Sequence, residues 1–184
     1  MVLIKSAACG EPIIVFDLEL NQPSEKIIEI GFVIGDLLKQ EILERQSIFV
    51  NPEEALSKEI IELTSISQEQ VDHGLSLEEA YLKMLGFVRK YSAKLILFQW
   101  GVGDTSLLKK QLPDGTDWPF GRRWIDVKAL SQVDAIVNGL KPYGGLKKLA
   151  SRKGIIVDKE KAHRADYDAE ITFMLLGKLS SKFT

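Results

Sequence analysis

The segment IIVFDLEL, Ile13–Leu20, ends an otherwise apolar strand with two carboxylates two positions apart. Successive side chains of a strand point to opposite faces, so Asp17 and Glu19 project from the same face. Two carboxylates this close repel each other and lose hydration, so they take up a proton or share a cation. The pair is therefore a candidate half of a metal site, with a solvated strand end as the alternative.

The bulk composition predicts one soluble domain. Of the 184 residues, 45% are hydrophobic and 27% are charged, which is enough for one substantial core. The apolar runs are too short to span a membrane, and Met1–Cys9 lacks the apolar core of a secretory signal. The single cysteine, Cys9, excludes an internal disulfide. We therefore expect a single domain over residues 1–184, in the cytoplasm and without membrane contact.

The net charge of −2 is unevenly distributed along the chain. Residues 1–140 contain 14 basic and 21 acidic side chains, whereas residues 141–164 contain eight basic and two acidic ones. This basic segment is a candidate surface for phosphate groups, and its alternative is a solvated helix face. Its basic side chains are Lys141, Lys147, Lys148, Arg152, Lys153, Lys159, Lys161 and Arg164.

The order of the predicted elements indicates a layered α/β domain. Strands are predicted at 12–20, 27–35 and 41–50, and their connections of about four to six residues suit antiparallel hairpins. Two more strands, at 95–98 and 124–125, alternate with helices. The predicted helices cover 76–91, 104–112, 127–138, 144–153 and 164–181. This pattern predicts a mixed sheet, three antiparallel strands and then parallel strands, flanked by helices.

Three later side chains could join the acid pair. Asp104 follows a buried strand and a loop with two glycines, while His163 and Asp168 lie at the start of the last helix. A helix cap is the alternative for Asp104, and a helix-end histidine is the alternative for His163. We favour a cap for Asp126, the chief rival of Asp104, and a structural role for His73.

In order and spacing, these residues resemble the DEDDh exonucleases, the DnaQ-like 3′–5′ exonucleases with a ribonuclease H-like fold. The most specific similarity is the segment HRADYDA, residues 163–169, and segments 27–31 and 63–71 are also similar. The resemblance covers most of the chain and implies a ribonuclease H-like mixed sheet. The catalytic residues that it implies are Asp17, Glu19, Asp104, Asp168 and His163.

The residues beside two of the acids differ from those of the proofreading members. Those members usually have threonines after the first acid pair and His-Asn before the third acid. This chain has Leu20-Asn21-Gln22 and Gln99-Trp100-Gly101 instead. The second pattern is more similar to the branch that trims the 3′ ends of structured and small RNAs. The resemblance therefore favours RNA slightly over DNA as the substrate.

The resemblance also implies a metal-dependent reaction. Oxygen ligands without sulfur suit Mg²⁺ or Mn²⁺, and two such ions about 4 Å apart could hold both oxygens of a displacement at phosphorus. The expected metal ligands are Asp17, Glu19, Asp104 and Asp168. His163 is the expected general base, since the pKa of an unperturbed histidine is about 6.5. The product would be a nucleoside 5′-monophosphate.

The expected nucleic-acid partner is a single-stranded 3′ end, and the sequence names no protein partner. The expected contacts are apolar ones to the terminal base, with core packing as the alternative, and basic ones to phosphates: Leu18, Leu20, Ile66, Arg164 and Lys148. Two alternative functions stay open. One is an oligoribonuclease-like enzyme that clears short RNA, and the other is a catalytically silent nucleic-acid-binding adaptor on the same fold.

Overall fold

The computed structural model describes residues 10–158, 161 and 163–180. Five strands form one sheet in the order β3-β2-β1-β4-β5. Pairs β1–β2 and β2–β3 are antiparallel, whereas β1–β4 and β4–β5 are parallel, so the predicted mixed sheet is confirmed. The strands are β1 (Ile13–Leu20), β2 (Ile27–Asp36), β3 (Glu41–Phe49), β4 (Leu97–Gln99) and β5 (Ile125–Asp126).

The five predicted helices are present, and two short ones, α1 and α2, were not predicted. Serines cap both: Ser57 accepts from the backbone N–H of Ile60, and Ser67 forms a reciprocal capping box with Gln70. That serine–glutamine spacing is the signal that could have revealed α2. The helices are α1 (Lys58–Thr64), α2 (Gln68–Asp72), α3 (Leu77–Lys90), α4 (Asp104–Gln111), α5 (Val127–Val137), α6 (Leu146–Arg152) and α7 (Ala165–Ser180).

Some sequence expectations fall on residues outside the described ranges. They concern Met1–Cys9, the basic Lys159, and the end of the last helix at residue 181. Among the helices that the structure does describe, none combines the length and apolarity needed to cross a bilayer.

The sheet separates two apolar layers, and the alternation of β1 decides which side chains enter each. Phe16 and Leu18 pack in the layer that contains side chains of α3 and α4. Val15 packs in the other layer, with side chains of α5, α6 and α7. Since Asp17 and Glu19 are in phase with Val15, both acids lie on the face that α7 covers.

Helix α7 approaches β2 so closely that no side chain fits between them at Gly31. A Cβ atom built on Gly31 would lie 1.9 Å from the backbone nitrogen of Asp166 and 2.0 Å from the carbonyl carbon of Ala165. Gly31 is paired with Asp17 across β1 and β2. The missing side chain therefore allows the first turn of α7 to lie beside the acid pair.

We expect Gly31→Ala to lower the free energy of unfolding by about 3 kcal/mol, because backbone atoms cannot move aside without shifting α7. Denaturant unfolding followed by circular dichroism measures this change. Gly86→Ala is the matched control, because a Cβ atom there meets nothing within 4 Å. Gly86 lies inside α3, so this substitution should stabilise the protein by about 0.5–1 kcal/mol. If both substitutions changed the free energy of unfolding in the same direction, the close approach of α7 to β2 at Gly31 would be contradicted.

Candidate active site

The five candidate catalytic residues come from three places in the fold. Asp17 and Glu19 lie near the carboxyl end of β1, and Asp104 begins α4, shortly after β4. His163 lies in the turn before α7, and Asp168 lies in the first turn of that helix. Because β1 and β4 are adjacent parallel strands, their carboxyl ends meet at one edge of the sheet.

Asp104 and Asp126 follow neighbouring strands but have different surroundings. The N-cap of α4 is Gly103, with a φ of 132°, so the carboxyl group of Asp104 is not used as a cap. Asp126 caps α5, as predicted, and accepts from the backbone N–H of Ala129 at 3.1 Å. It also accepts from the backbone N–H of Gly101 at 2.9 Å, which fixes the loop that leads to Asp104.

The carboxyl groups at this sheet edge are partly shielded from solvent and lie close enough to repel one another. Burial raises the pKa of Asp17 well above its ordinary value, and the charges of Asp104, Glu19 and Asp168 raise it further. Burial, assisted by neighbouring carboxylates, raises the pKa of Glu19 to about 8. Burial also raises the pKa of Asp104 to about 7 and that of Asp168 to about 6. Such a group of acids favours bound protons or a shared cation.

His163 is positioned as a neutral imidazole beside the acids. Its Nε2 lies 3.1 Å from Nζ of Lys147, and since an ammonium group can only donate, Nε2 accepts this hydrogen bond. Burial, and then the charge of Lys147, lower the pKa of His163. Glu19, His163 and Asp168 each offer one possible ligand atom, and these three atoms lie within 4.8 Å of one another. Because Nε2 is occupied by Lys147 in this geometry, the ring accepts a proton or binds a metal ion there only after that hydrogen bond is given up.

A buried carboxylate that sequence reasoning did not single out holds the start of α7. Glu29, on β2, is fully buried and accepts hydrogen bonds from Nη2 of Arg164 at 2.9 Å and from the backbone N–H of Ala165 at 3.1 Å. The hydroxyl of Ser47 donates a third at 2.5 Å. These bonds tie the segment after His163 to the sheet. A lone charge inside the apolar strand IIEIGFVIG is the signal that could have revealed Glu29.

The guanidinium group of Arg164, which the sequence suggested for phosphate, is bonded to Glu29 in this structure, and its contact with phosphate stays a prediction. A second arginine, Arg45 on β3, is bonded to Asp166 at 2.7 Å and also to Glu170. Asp166 and Glu170 therefore balance a charge at the edge of the sheet and do not join the acid cluster. The two arginines fix α7 against β2 and β3 at its first turns.

The apolar substrate contacts expected from the sequence are unequally placed. Ile66 has no exposed surface, because α1 and α2 enclose it with Ile28. Leu18 is buried in the core by the alternation of β1. Both side chains therefore pack in the core, the alternative that the sequence left open, and their contact with a base stays an untested prediction. Leu20 is partly exposed, and Lys148 is exposed.

The donor atoms fit a hard divalent cation. Oδ1 of Asp168 is buried, and no described residue donates a hydrogen bond to it. A buried carboxylate oxygen without a donor is an uncommon and costly feature that a cation would relieve. Carboxylate oxygens are the ligands that Mg²⁺ and Mn²⁺ prefer. The residues that could hold such ions are Asp17, Glu19, Asp104 and Asp168.

Comparison with known sequences places this geometry in a family. The RNase_T family model, described as an exonuclease, matches residues 14–176. Curated relatives include the PolC-type DNA polymerase III of Mycoplasmopsis pulmonis (strain UAB CTIP), 25% identical over 164 residues that cover 86% of this chain and 11% of the relative. The PolC-type enzyme of Staphylococcus epidermidis (strain ATCC 12228) is 30% identical over 171 residues, 90% of this chain and 11% of the relative. The chain thus spans about a tenth of the length of these polymerases.

Solved structures share the fold. The nuclease domain of 3′hExo, a DEDDh family member bound to rAMP, has a TM-score of 0.77 and 18% identity over 95% of this chain and 94% of that chain. The Mg²⁺- and Mn²⁺-bound form of S. pombe Pop2p has a TM-score of 0.67 and 18% identity over 99% and 88%. Exonuclease X in complex with 5′ overhanging duplex DNA has a TM-score of 0.64 and 20% identity over 92% of each chain. With its family match over residues 14–176, the chain belongs to the RNase_T exonuclease family and has the ribonuclease H-like fold of the DEDDh exonucleases.

Proposed function

We propose that residues 1–184 act as one 3′–5′ exonuclease domain that releases nucleoside 5′-monophosphates with the help of two Mg²⁺ or Mn²⁺ ions. The observation that carries the proposal is the convergence of four partly buried carboxyl groups beside the neutral ring of His163. Two neighbours support it: the DEDDh enzyme 3′hExo was solved with rAMP, and Pop2p with Mg²⁺ and Mn²⁺.

The side chains divide the chemistry between them. Asp17, Glu19, Asp104 and Asp168 would hold the ions, which stabilise charge on the attacking and leaving oxygens of a displacement at phosphorus. His163 accepts a proton from the attacking water once Nε2 is free of Lys147, and its lowered pKa keeps the ring unprotonated near neutral pH. The bond between phosphorus and the 3′ oxygen of the preceding nucleotide breaks. The terminal nucleotide leaves with the phosphate on its 5′ oxygen.

We propose single-stranded 3′ ends of RNA and DNA alike as substrates. The RNA preference inferred from the residues around Asp17 and Asp104 gains no support from the comparisons. The curated relatives are DNA polymerases, and the neighbours include one bound to rAMP and one in complex with DNA. We therefore drop the preference and retain the single-stranded 3′ end.

One degradation assay tests the function and separates it from its alternatives. Single-stranded RNA and DNA labelled at either the 3′ or the 5′ end are incubated with Mg²⁺, Mn²⁺ or a chelator. We expect 3′-labelled mononucleotide as the first product and a 5′-labelled ladder that shortens with time, both abolished by the chelator. Cleavage confined to di- to pentanucleotides would indicate oligoribonuclease-like clearance instead. Binding without release would indicate a silent adaptor.

The raised pKa values of the acids predict an unusual dependence of stability on pH. The pKa of Glu19 rises from 4.5 to about 8 on folding, and that of Asp104 rises from 3.8 to about 7. Between the unfolded and the folded pKa of each acid, the folded protein binds more protons than the unfolded chain. The free energy of unfolding without metal therefore falls as pH rises. His163, with its lowered pKa, acts in the opposite direction below about pH 6.5 but is a single group.

Because Mn²⁺ binds the deprotonated acids, the stability that it adds should grow as pH rises. Thermal unfolding with chelator or with Mn²⁺, measured at several values between about pH 5 and about pH 8, tests this prediction. Glu19→Gln is the matched variant, and it should flatten the pH dependence of the metal-free protein. A stabilisation by Mn²⁺ that stays constant with pH would rule out the proposed ionisation of the acids.

A further inference from the structure

We propose that residues 141–148, which connect α5 to α6, form a docking surface for the single strand on the 5′ side of the scissile phosphate. We call these residues the 141–148 surface. Tyr143 stacks on a base there, and Lys148 contacts the backbone. This proposal rests on the proposed exonuclease function and concerns substrate nucleotides that lie outside the catalytic centre.

The first observation is the exposure of Tyr143. Its side chain is 76% exposed, and among the aromatic residues that the structure describes it alone has a largely exposed ring. The ring therefore contributes little to the apolar core, and packing does not explain an aromatic residue at this position. An exposed aromatic face is a platform on which any unpaired base can stack, because every base has a π face.

The second observation is the position of this surface next to the catalytic centre. Nζ of Lys147 lies 3.1 Å from Nε2 of His163, so the end of the surface reaches the proposed general base. Tyr143 is four residues before Lys147, and an extended chain of four residues spans at most about 14 Å. A strand that leaves the catalytic centre in this direction reaches Tyr143 within a few nucleotides.

The third observation is unpaired positive charge. Lys141 and Lys148 are exposed, and neither forms an ion pair with a residue in the described ranges. By contrast, Lys153 in the same basic segment is paired with Asp134. Lysines without carboxylate partners can neutralise phosphates directly and release counterions from the strand. The surface therefore complements a nucleic-acid backbone in charge.

The surface is also held in shape by its own contacts. Nη1 of Arg152 donates to the backbone carbonyl of Lys141 at 2.8 Å. The stem of Lys148 lies against Gly144, where a Cβ atom would be 3.2 Å from its Cδ atom. Gly144 has a φ of 153°, which favours glycine, so the turn beside Tyr143 requires this residue. A surface held in this way binds without first losing much conformational entropy.

Stacking on Tyr143 requires an unpaired base, so the surface fits a single strand better than a duplex. Stacking also reads no hydrogen-bond pattern, so the binding would be independent of base sequence. The length of the substrate should matter instead. A substrate with one nucleotide cannot reach Tyr143, whereas an oligonucleotide can.

The test compares two substrates. One is a single-stranded oligonucleotide of about ten nucleotides, within the range that single-strand binding sites span. The other is the p-nitrophenyl ester of thymidine 5′-monophosphate, which occupies only the catalytic centre. For Tyr143→Ala we expect about a tenfold loss of kcat/KM on the oligonucleotide and none on the ester, because stacking contributes about 1–3 kcal/mol per base. Tyr143→Phe, which keeps the aromatic face, should retain most of the activity.

Lys148→Ala should make the slope of log affinity against log salt concentration less steep, by about the amount that one phosphate contact contributes. Lys83→Ala is the matched control, because Lys83 is exposed on α3, across the sheet from the acids. If Tyr143→Ala cleaved both the oligonucleotide and the ester at the wild-type rate, the docking role of the 141–148 surface would be refuted and the proposed function would stand. If the wild type cleaved neither substrate, the proposed function would fail. Fluorescence anisotropy of a labelled strand would then test the surface directly, with a tenfold loss of affinity expected for Tyr143→Ala and unchanged affinity overturning it.

Discussion

Asp17→Asn is expected to lower kcat by about a thousandfold, which corresponds to about 4 kcal/mol of transition-state stabilisation. Asp17 interacts with the charges of Asp104, Glu19 and Asp168, so its carboxyl group is central to the acid cluster. Asparagine keeps the shape of the side chain and removes the charge. The substitution should therefore weaken metal binding without disturbing β1.

Single-turnover cleavage and titration with Mn²⁺ measure the two effects separately. Asp36→Asn is the matched control, because Asp36 is a buried aspartate at the opposite end of β2, where it accepts from the backbone N–H groups of Leu38 and Lys39. It should leave kcat unchanged. In a chelator at neutral pH, Asp17→Asn should be at least as stable as the wild type, because it removes a carboxyl group whose ionisation is disfavoured in the folded protein by desolvation and by the neighbouring acids. An Asp17→Asn variant with wild-type kcat would refute the proposed metal site.

His163→Ala is expected to lower kcat by about 10²–10⁴-fold, the usual contribution of a positioned general base. If His163 only accepts a proton, the affinity for Mn²⁺ should stay close to that of the wild type. The ring also lies near Glu19 and Asp168 in a geometry that could bind metal. A loss of Mn²⁺ affinity that matches the loss of rate would therefore identify His163 as a metal ligand.

The backbone at His163 calls for a second variant. Its φ of 62° is left-handed, a conformation that costs most non-glycine residues about 1–2 kcal/mol. Asparagine tolerates this conformation and cannot act as a base near neutral pH. His163→Asn should therefore lose as much activity as His163→Ala. If only His163→Ala lost much activity, the cause would be a shift of the turn that holds residue 163 and not the absence of a general base.

The strands and the acid positions were predictable because they depend on local periodicity. The alternation in Ile13–Leu20 places Asp17 and Glu19 on one face in any extended conformation. The short connections on either side of β2 leave room only for antiparallel pairing, which the structure confirms. The prediction for β4 was shifted, because Leu95 and Ile96 are exposed and the strand begins at Leu97.

The partners of Arg164 were not predictable in the same way. Glu29 and Arg164 are 135 positions apart, and they meet only because α7 docks on β2 at Gly31. The periodicity of β2 or of α7 does not reveal at which residues the two elements meet. Arg164 therefore looked like one more member of a basic segment, although its charge is balanced inside the protein. The burial of Ile66 was hard to predict for a related reason, since the two short helices that enclose it carry little pattern of their own.

The order of the elements along the chain affects when a nuclease can first exist. Asp17 and Glu19 lie on β1. His163 lies in the turn before α7, and Asp168 lies on α7 itself, the last element that the structure describes. A ribosome therefore completes all five strands of the sheet before His163 and Asp168 emerge. Until α7 reaches β1 and β2, the nascent chain lacks two of the five proposed catalytic residues, and we expect it to be inactive. If the proposed function holds, synthesis itself delays the activity, and we expect a truncated translation product that lacks α7 to leave nucleic acids intact.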